Sequence, residues 1–128
     1  MSEEKELTIE RLERMYKNLE SKMTRDRYLS MCEQLNKEPN ENEIPPDWED
    51  FPDIVQVAIN TFNMLGDRVF PDIGYVGKDY TSLKHYIEVY GIEDKEFFLE
   101  ILHWLDSRAI KQSSEQLKRE YDKLKRKH

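Results

Sequence analysis

From Glu93 to His128 the chain carries neither glycine nor proline. Those two residues ordinarily end a helix, one by freeing the backbone and the other by removing a hydrogen-bond donor. A stretch of this length without them is therefore expected to run on as one long helix. Glu93, Asp94 and Glu96 suit its positive dipole end, and Phe97, Phe98, Ile101, Leu102, Trp104 and Leu105 are its core candidates. Farther along, Ile110, Ser114, Leu117, Tyr121 and Leu124 recur at alternating spacings of four and three, which places them on one narrow stripe.

The N-terminal segment has the same rhythm. Ile9, Leu12, Tyr16, Leu19 and Met23 lie on one stripe with charged residues between them. Each seam is too short for an independent coiled coil and needs a partner helix. The simplest architecture packs one against the other, within one chain or across a homodimer, and the sequence does not choose between these.

Between the seams, Thr24 stands as the N-cap of a helix over about 25–36 with Tyr28, Met31, Cys32 and Leu35 on one face. Residues 36–52 show no period and hold Pro39, Pro45, Pro46 and Pro52, so they read as a long loop. Pro52 and Asp53 are start signals for a core helix carrying Ile54, Val55, Ala58, Ile59, Phe62 and Leu65, with Gly66 as its C-cap. Residues 67–80 read as an ordered loop burying Phe70, Ile73 or Tyr75. A further helix starts near Thr81, turns Leu83, Ile87 and Tyr90 inward and stops at Gly91, with Ile92 as the apolar residue past the glycine. The expectation is an all-α fold of about five helices in one small bundle, a single domain over 1–128. It comprises an N-terminal helix at 1–23, a core at 24–106 and a basic helical extension at 107–128.

Charge divides the chain unevenly. Residues 38–100 hold fifteen acids against four bases, and residues 111–128 seven bases against three acids, within a formal net charge of −7. An acidic body repels nucleic-acid backbone, whereas the tail alone attracts phosphate or an acidic surface. No apolar run approaches the length of a bilayer span, and MSEEKELTIE lacks the apolar region of a secretory signal. The lone Cys32 has no partner for an internal disulfide, so a cytoplasmic location and no membrane association are expected.

Motifs for chemistry are weak. Gly74–Thr81 has glycines and Lys78 but not the spacing of a phosphate loop, and reads as a turn leading to a helix cap. Glu100 and His103 form one carboxylate–imidazole pair at helical spacing, and the nearest second pair, His85 and Glu88, runs in reverse, so no di-metal bundle site is expected. Cys32 lies on an apolar face and reads as a buried thiol. No nucleophile elbow appears among the serines. We therefore expect no enzyme, no cofactor and no metal.

The stretch NEIPPDWEDFPD, residues 42–53, sets Trp48 and Phe51 among acids and prolines. Its aromatics either anchor in a partner's groove or fold back over the chain's own core. In the tail, Lys118, Arg119, Lys123, Lys125, Arg126 and Lys127 are candidates for phosphate contact, with Tyr121 able to stack on a base. The same bases also complement the helix dipole.

The order RDRYLSMCEQLNKEP, then IPPDWEDFPDIVQVAINTFNML, then GYVGKDYTSL and a closing helix resembles small proteins of large tailed bacteriophages, including phages of marine cyanobacteria, over about residues 24–126. The resemblance implies a phage product made in the cytoplasm of an infected bacterium and brings no catalytic residue with it. The expected function is a non-enzymatic protein–protein interaction module, a phage accessory, assembly or host-interaction protein. Its expected contacts are Trp48, Phe51, Ile110, Leu117, Tyr121 and Leu124. The alternative is a nucleic-acid-associated accessory protein that binds through the basic C-terminal helix.

Overall fold

The computed structural model describes residues 2–21 and 23–126, with side chains over 8–18 and 23–126. The chain divides into two compact units, Met1–Pro52 and Asp53–His128.

In the first unit α1 (Ser2–Ser21) buries Thr8 and Leu12 and half-buries Ile9 and Tyr16, as does Met23 just beyond it; the side chain of Leu19 lies outside the described residues. Helix α2 (Arg25–Gln34) starts where expected, with Thr24 Oγ1 accepting from the Arg27 N–H at 3.1 Å. It ends with Asn36 at φ +55°, a left-handed conformation that asparagine tolerates. There the Lys37 N–H reaches back to the Cys32 carbonyl at 2.9 Å. Tyr28 and Cys32 are buried, but Met31 and Leu35 are exposed, so the inward face of α2 is narrower than its apolar spacing implied.

The proline-rich loop is tied down rather than free. The Tyr28 hydroxyl accepts from the Asn40 N–H at 3.3 Å and donates to Glu43 Oε2 at 3.0 Å. The Arg25 guanidinium spans Asp47 at 3.4 Å and Asp50 at 3.3 Å, which fixes the 3-10 turn Trp48–Asp50. The Asp47 N–H donates to Asp50 Oδ2 at 2.9 Å and closes that turn on itself.

In the second unit α3 (Asp53–Met64) follows Pro52 and buries Val55, Ala58, Ile59 and Thr61, with Leu65 buried just after it. Gly66 does not take the left-handed conformation of a helix cap. Its carbonyl instead accepts from the Asp79 N–H at 2.8 Å, at the base of a hairpin.

That hairpin corrects the all-α expectation. Strands β1 (Asp67–Phe70) and β2 (Gly74–Lys78) pair antiparallel, Asp67 opposite Lys78 and Arg68 opposite Gly77, then Val69 opposite Tyr75 and Phe70 opposite Gly74. The shift between the two pairs leaves Val76 as an extra residue, a β-bulge, with Gly77 at φ +129°. Among the described residues the fold is therefore five α-helices with a two-stranded sheet. The hairpin escapes pattern reading because its strands are short, the bulge breaks alternation, and every residue of β1 is exposed. Of the three residues offered for burial here, Phe70 and Ile73 are 49% and 62% exposed, and Tyr75 is half-buried.

Helix α4 (Leu83–Val89) ends as its sequence foretells. Gly91 sits at φ +61°, its N–H bonds the Glu88 carbonyl at 3.2 Å, and the Ile92 N–H bonds the Ile87 carbonyl at 3.1 Å. Tyr90, expected inward, is exposed. Helix α5 (Lys95–Arg126) is a single helix of 32 residues, capped by Asp94 Oδ1 accepting from the Phe97 N–H at 3.1 Å. At 1.5 Å per residue it is about 48 Å long. Helix α3 and strand β2 pack on it. Phe97, Phe98, Ile101, Leu102, Leu105 and Asp106 are buried, and no described residue of α5 beyond Asp106 is. Among the described residues no helix is long and apolar enough to cross a membrane.

Candidate functional site

A carboxylate on the apolar face of a core helix has to find donors, because an unpaired buried charge costs several kcal/mol. Asp106 follows Leu102 and Leu105 and is itself 8% exposed. Oδ1 accepts from the Tyr75 hydroxyl at 2.5 Å; Oδ2 accepts from the Tyr80 hydroxyl at 2.5 Å and from the Lys78 N–H at 3.2 Å. Burial alone would raise the Asp106 pKa, but the two phenols, the amide and the Lys78 charge together hold it below the ordinary carboxylate value. Both phenol pKa values are pushed up, by burial first and by the bond to Asp106 second.

The neighbouring lysine is equally committed. Lys78 Nζ meets Asp67 Oδ1 at 2.6 Å, donates to the Leu65 carbonyl at 3.2 Å and lies 4.7 Å from the centre of the Phe62 ring. The Lys78 ammonium is thus spent inside the fold. Gly77 leaves room for the clamp, since a Cβ there would come within 3.3 Å of Asp106 Oδ2. This cluster is a structural clamp that fastens the hairpin to α5.

The clamp sets where the hairpin turn lies. The Tyr75 N–H donates to Ser113 Oγ at 3.3 Å, and a Cβ on Gly74 would be 3.2 Å from the same oxygen. Strand β2 therefore runs along α5 from the level of Asp106 to that of Ser113, and residues 71–73 turn beside the helix there. Leu117 lies one helical turn farther on. Phe70 and Ile73 on the turn, and Leu117, Tyr121 and Leu124 on the helix, are all exposed, the last three at 41%, 62% and 59%. Leu117, Tyr121 and Leu124 thus make an exposed apolar stripe on the helix, and Phe70 and Ile73 are exposed apolar residues at the turn end of the hairpin in the same unit.

Of the residues singled out in the sequence, Ile110, Leu117, Tyr121 and Leu124 fall together on this stripe, and Ile110 is partly covered, its Cδ1 being 3.8 Å from where a Gly77 Cβ would stand. Lys118, Arg119, Lys123, Lys125 and Arg126 are exposed on the same helix; Lys127 lies outside the described residues. Trp48 and Phe51 belong to the other unit, where Phe51 is 3% exposed and Trp48 39%. The Phe51 ring is thus taken up by the chain itself.

The other candidates for chemistry do not assemble. Glu100 and His103 are exposed, and the His103 ring stands edge-on to Tyr80 at 6.4 Å. Among the described residues no three His, Cys, Asp or Glu side chains gather as metal ligands. A cleft of about 590 Å³ in the first unit is lined by Arg11, Arg14 and Arg25, but Glu10, Glu41 and Asp50 line it too, so no net charge selects an anion. Asp79 Oδ1 accepts from the Thr81 N–H at 2.9 Å, a turn within the chain and not a cradle.

Sequence reasoning missed Asp106 and Tyr80, and named Tyr75 only as one of three residues that could be buried, beside the exposed Phe70 and Ile73. One signal was present: an acid at a core-facing position of a helix demands donors, and tyrosines are the natural ones where water is scarce. Comparison of the chain with protein-family models, curated proteins and solved structures finds no match.

Proposed function

We propose that the protein is a non-enzymatic interaction module that binds another protein through the second half of α5 and the adjoining hairpin turn. The observation that carries this reading is the exposed stripe Leu117, Tyr121 and Leu124 on a helix that has already left the packed part of its unit. A helix kept to 32 residues whose last turns bury nothing gains no packing stability from those turns. Apolar side chains at seam spacing there are what a helix-in-groove or helix-on-helix contact requires. The reading rests on this surface and not on the resemblance to phage proteins.

The test is paired capture from cells that make the protein, with wild type and a Leu117→Asp/Leu124→Asp variant as baits, followed by titration of each purified captured protein. Anchors of this kind are worth about 2 kcal/mol or more each, so the variant should weaken Kd by well over tenfold at unchanged helix content. Capture and affinity indifferent to both leucines would refute the proposal. So would tail-dependent, salt-sensitive binding of DNA or RNA with no protein partner.

A further inference from the structure

Resting on that reading, we infer that the α5 seam takes one kind of partner: an amphipathic helix whose own apolar stripe is flanked by a column of acidic side chains. The two borders of the seam differ. Along one side run Lys111, Lys118 and Lys125 at seven-residue spacing, all exposed and none in an ion pair among the described residues. Lys125 Nζ lies 5.1 Å from the centre of the Tyr121 ring, which holds that charge at the edge of the apolar stripe. Along the other side lie Ser113 and Glu120, and the hairpin covers that side at the level of Ser113, whose Oγ accepts from the Tyr75 N–H at 3.3 Å. Glu115 and Asp122 sit farther round the helix, beyond the lysines on the solvent side.

A helix laid on this seam meets the hairpin at Ser113 and a single acid, Glu120, on one flank, and the lysine column on the other. The flank beside the lysines is where charge decides, because positions bordering a helix–helix seam set partner choice through ion pairs. A second copy of α5 is a poor occupant. Laid antiparallel, it sets lysine column against lysine column. Laid parallel, it stacks Ser114 on Ser114 and Tyr121 on Tyr121, leaving a gap and a bulge in the same seam. Nucleic acid is a poor occupant as well: the lysines border apolar side chains, and the chain as a whole carries a formal charge of −7.

The probes are two synthetic amphipathic peptides with identical leucine stripes, one bordered by glutamates and its twin by lysines, each titrated calorimetrically into the full chain at low and high salt. Three surface pairs together amount to about a tenfold preference in Kd for the glutamate peptide, shrinking as salt rises. A Lys111→Glu/Lys118→Glu/Lys125→Glu variant should reverse the preference. The corresponding triple glutamine variant, which keeps helix propensity, should abolish it. Equal affinity for the two peptides at low salt overturns the inference, as does a preference that survives both variants. A peptide-free chain already dimeric through α5 in sedimentation, or duplex DNA that displaces the glutamate peptide, also overturns it. If the folded chain binds neither peptide, the protein-binding reading falls with it.

Discussion

Replacing Asp106 removes the one acceptor shared by the Tyr75 and Tyr80 hydroxyls and the Lys78 amide. A hydrogen bond to a charged group contributes about 1.5–3 kcal/mol, but both phenols are half-exposed and regain water when the carboxylate is gone. The Lys78 amide is buried and does not, at a cost of about 1–3 kcal/mol. Asp106→Ala should therefore lose about 3 kcal/mol. Asp106→Asn keeps one carbonyl acceptor but no charge, and should lose about 1–2 kcal/mol. The pH dependence gives a second, sharper signature. The folded-state pKa of Asp106 lies below its unfolded value, so its contribution is present above the ordinary carboxylate range and is lost as pH falls through the folded pKa. The phenols are shifted upward, so their contribution is present below about pH 10 and is lost as pH rises beyond it. Urea unfolding followed by far-UV circular dichroism, on wild type and both variants from acid to alkaline pH, reads all of this. The gap between wild type and Asp106→Asn should be widest near neutrality and close at low pH. A gap that is absent, or constant across pH, would refute the clamp.

Other perturbations probe the same fold. Thr61 Oγ1 is fully buried with no hydrogen-bond partner among the described residues, so Thr61→Val should raise the unfolding free energy by about 1 kcal/mol; a loss of stability would mean the hydroxyl is satisfied. Gly77→Ala places a side chain at φ +129° and against Asp106 Oδ2, and should cost about 1–3 kcal/mol. Because the two sites touch, the double variant Gly77→Ala/Asp106→Ala should lose less than the sum, and simple additivity would count against the contact. In the first unit, Phe51→Ala should cost about 3–5 kcal/mol and Trp48→Ala clearly less, since Phe51 is 3% exposed and Trp48 39%. The reverse order in thermal melts would show that Trp48, not Phe51, is the aromatic that the fold relies on.

Several starts and stops of the helices were legible because they are local events, although Gly66 did not cap α3 and α4 starts from Ser82. Thr24 caps α2 and Gly91 and Ile92 close α4 through bonds that span a few residues, Asp53 stands in the first turn of α3, and the acids at 93–96 mark the start of α5, where Asp94 proves to be the cap. The length of α5 was legible for the same reason, from the absence of anything to interrupt it. The facing of Met31, Leu35 and Tyr90 was not, because a helical period says which residues share a side and not how wide a strip of that side a neighbour will cover. The exposed stripe of α5 was legible, with Ile110, Leu117, Tyr121 and Leu124 on one helical line, while the hairpin that carries the exposed Phe70 and Ile73 was not.

The sequence alone determined, through capping, turn stereochemistry and the lack of breakers, that the chain is mostly helical and ends in one long helix with a basic last turn. Only the tertiary structure decided that residues 67–78 fold as a hairpin rather than a loop. Short, bulged, one-sided strands have too little local preference to hold themselves, and these are held by a carboxylate that the chain brings from 26 to 31 positions away. The same long-range clamp sets the hairpin turn beside Ser113, and so decides which flank of the α5 seam the hairpin covers at that level.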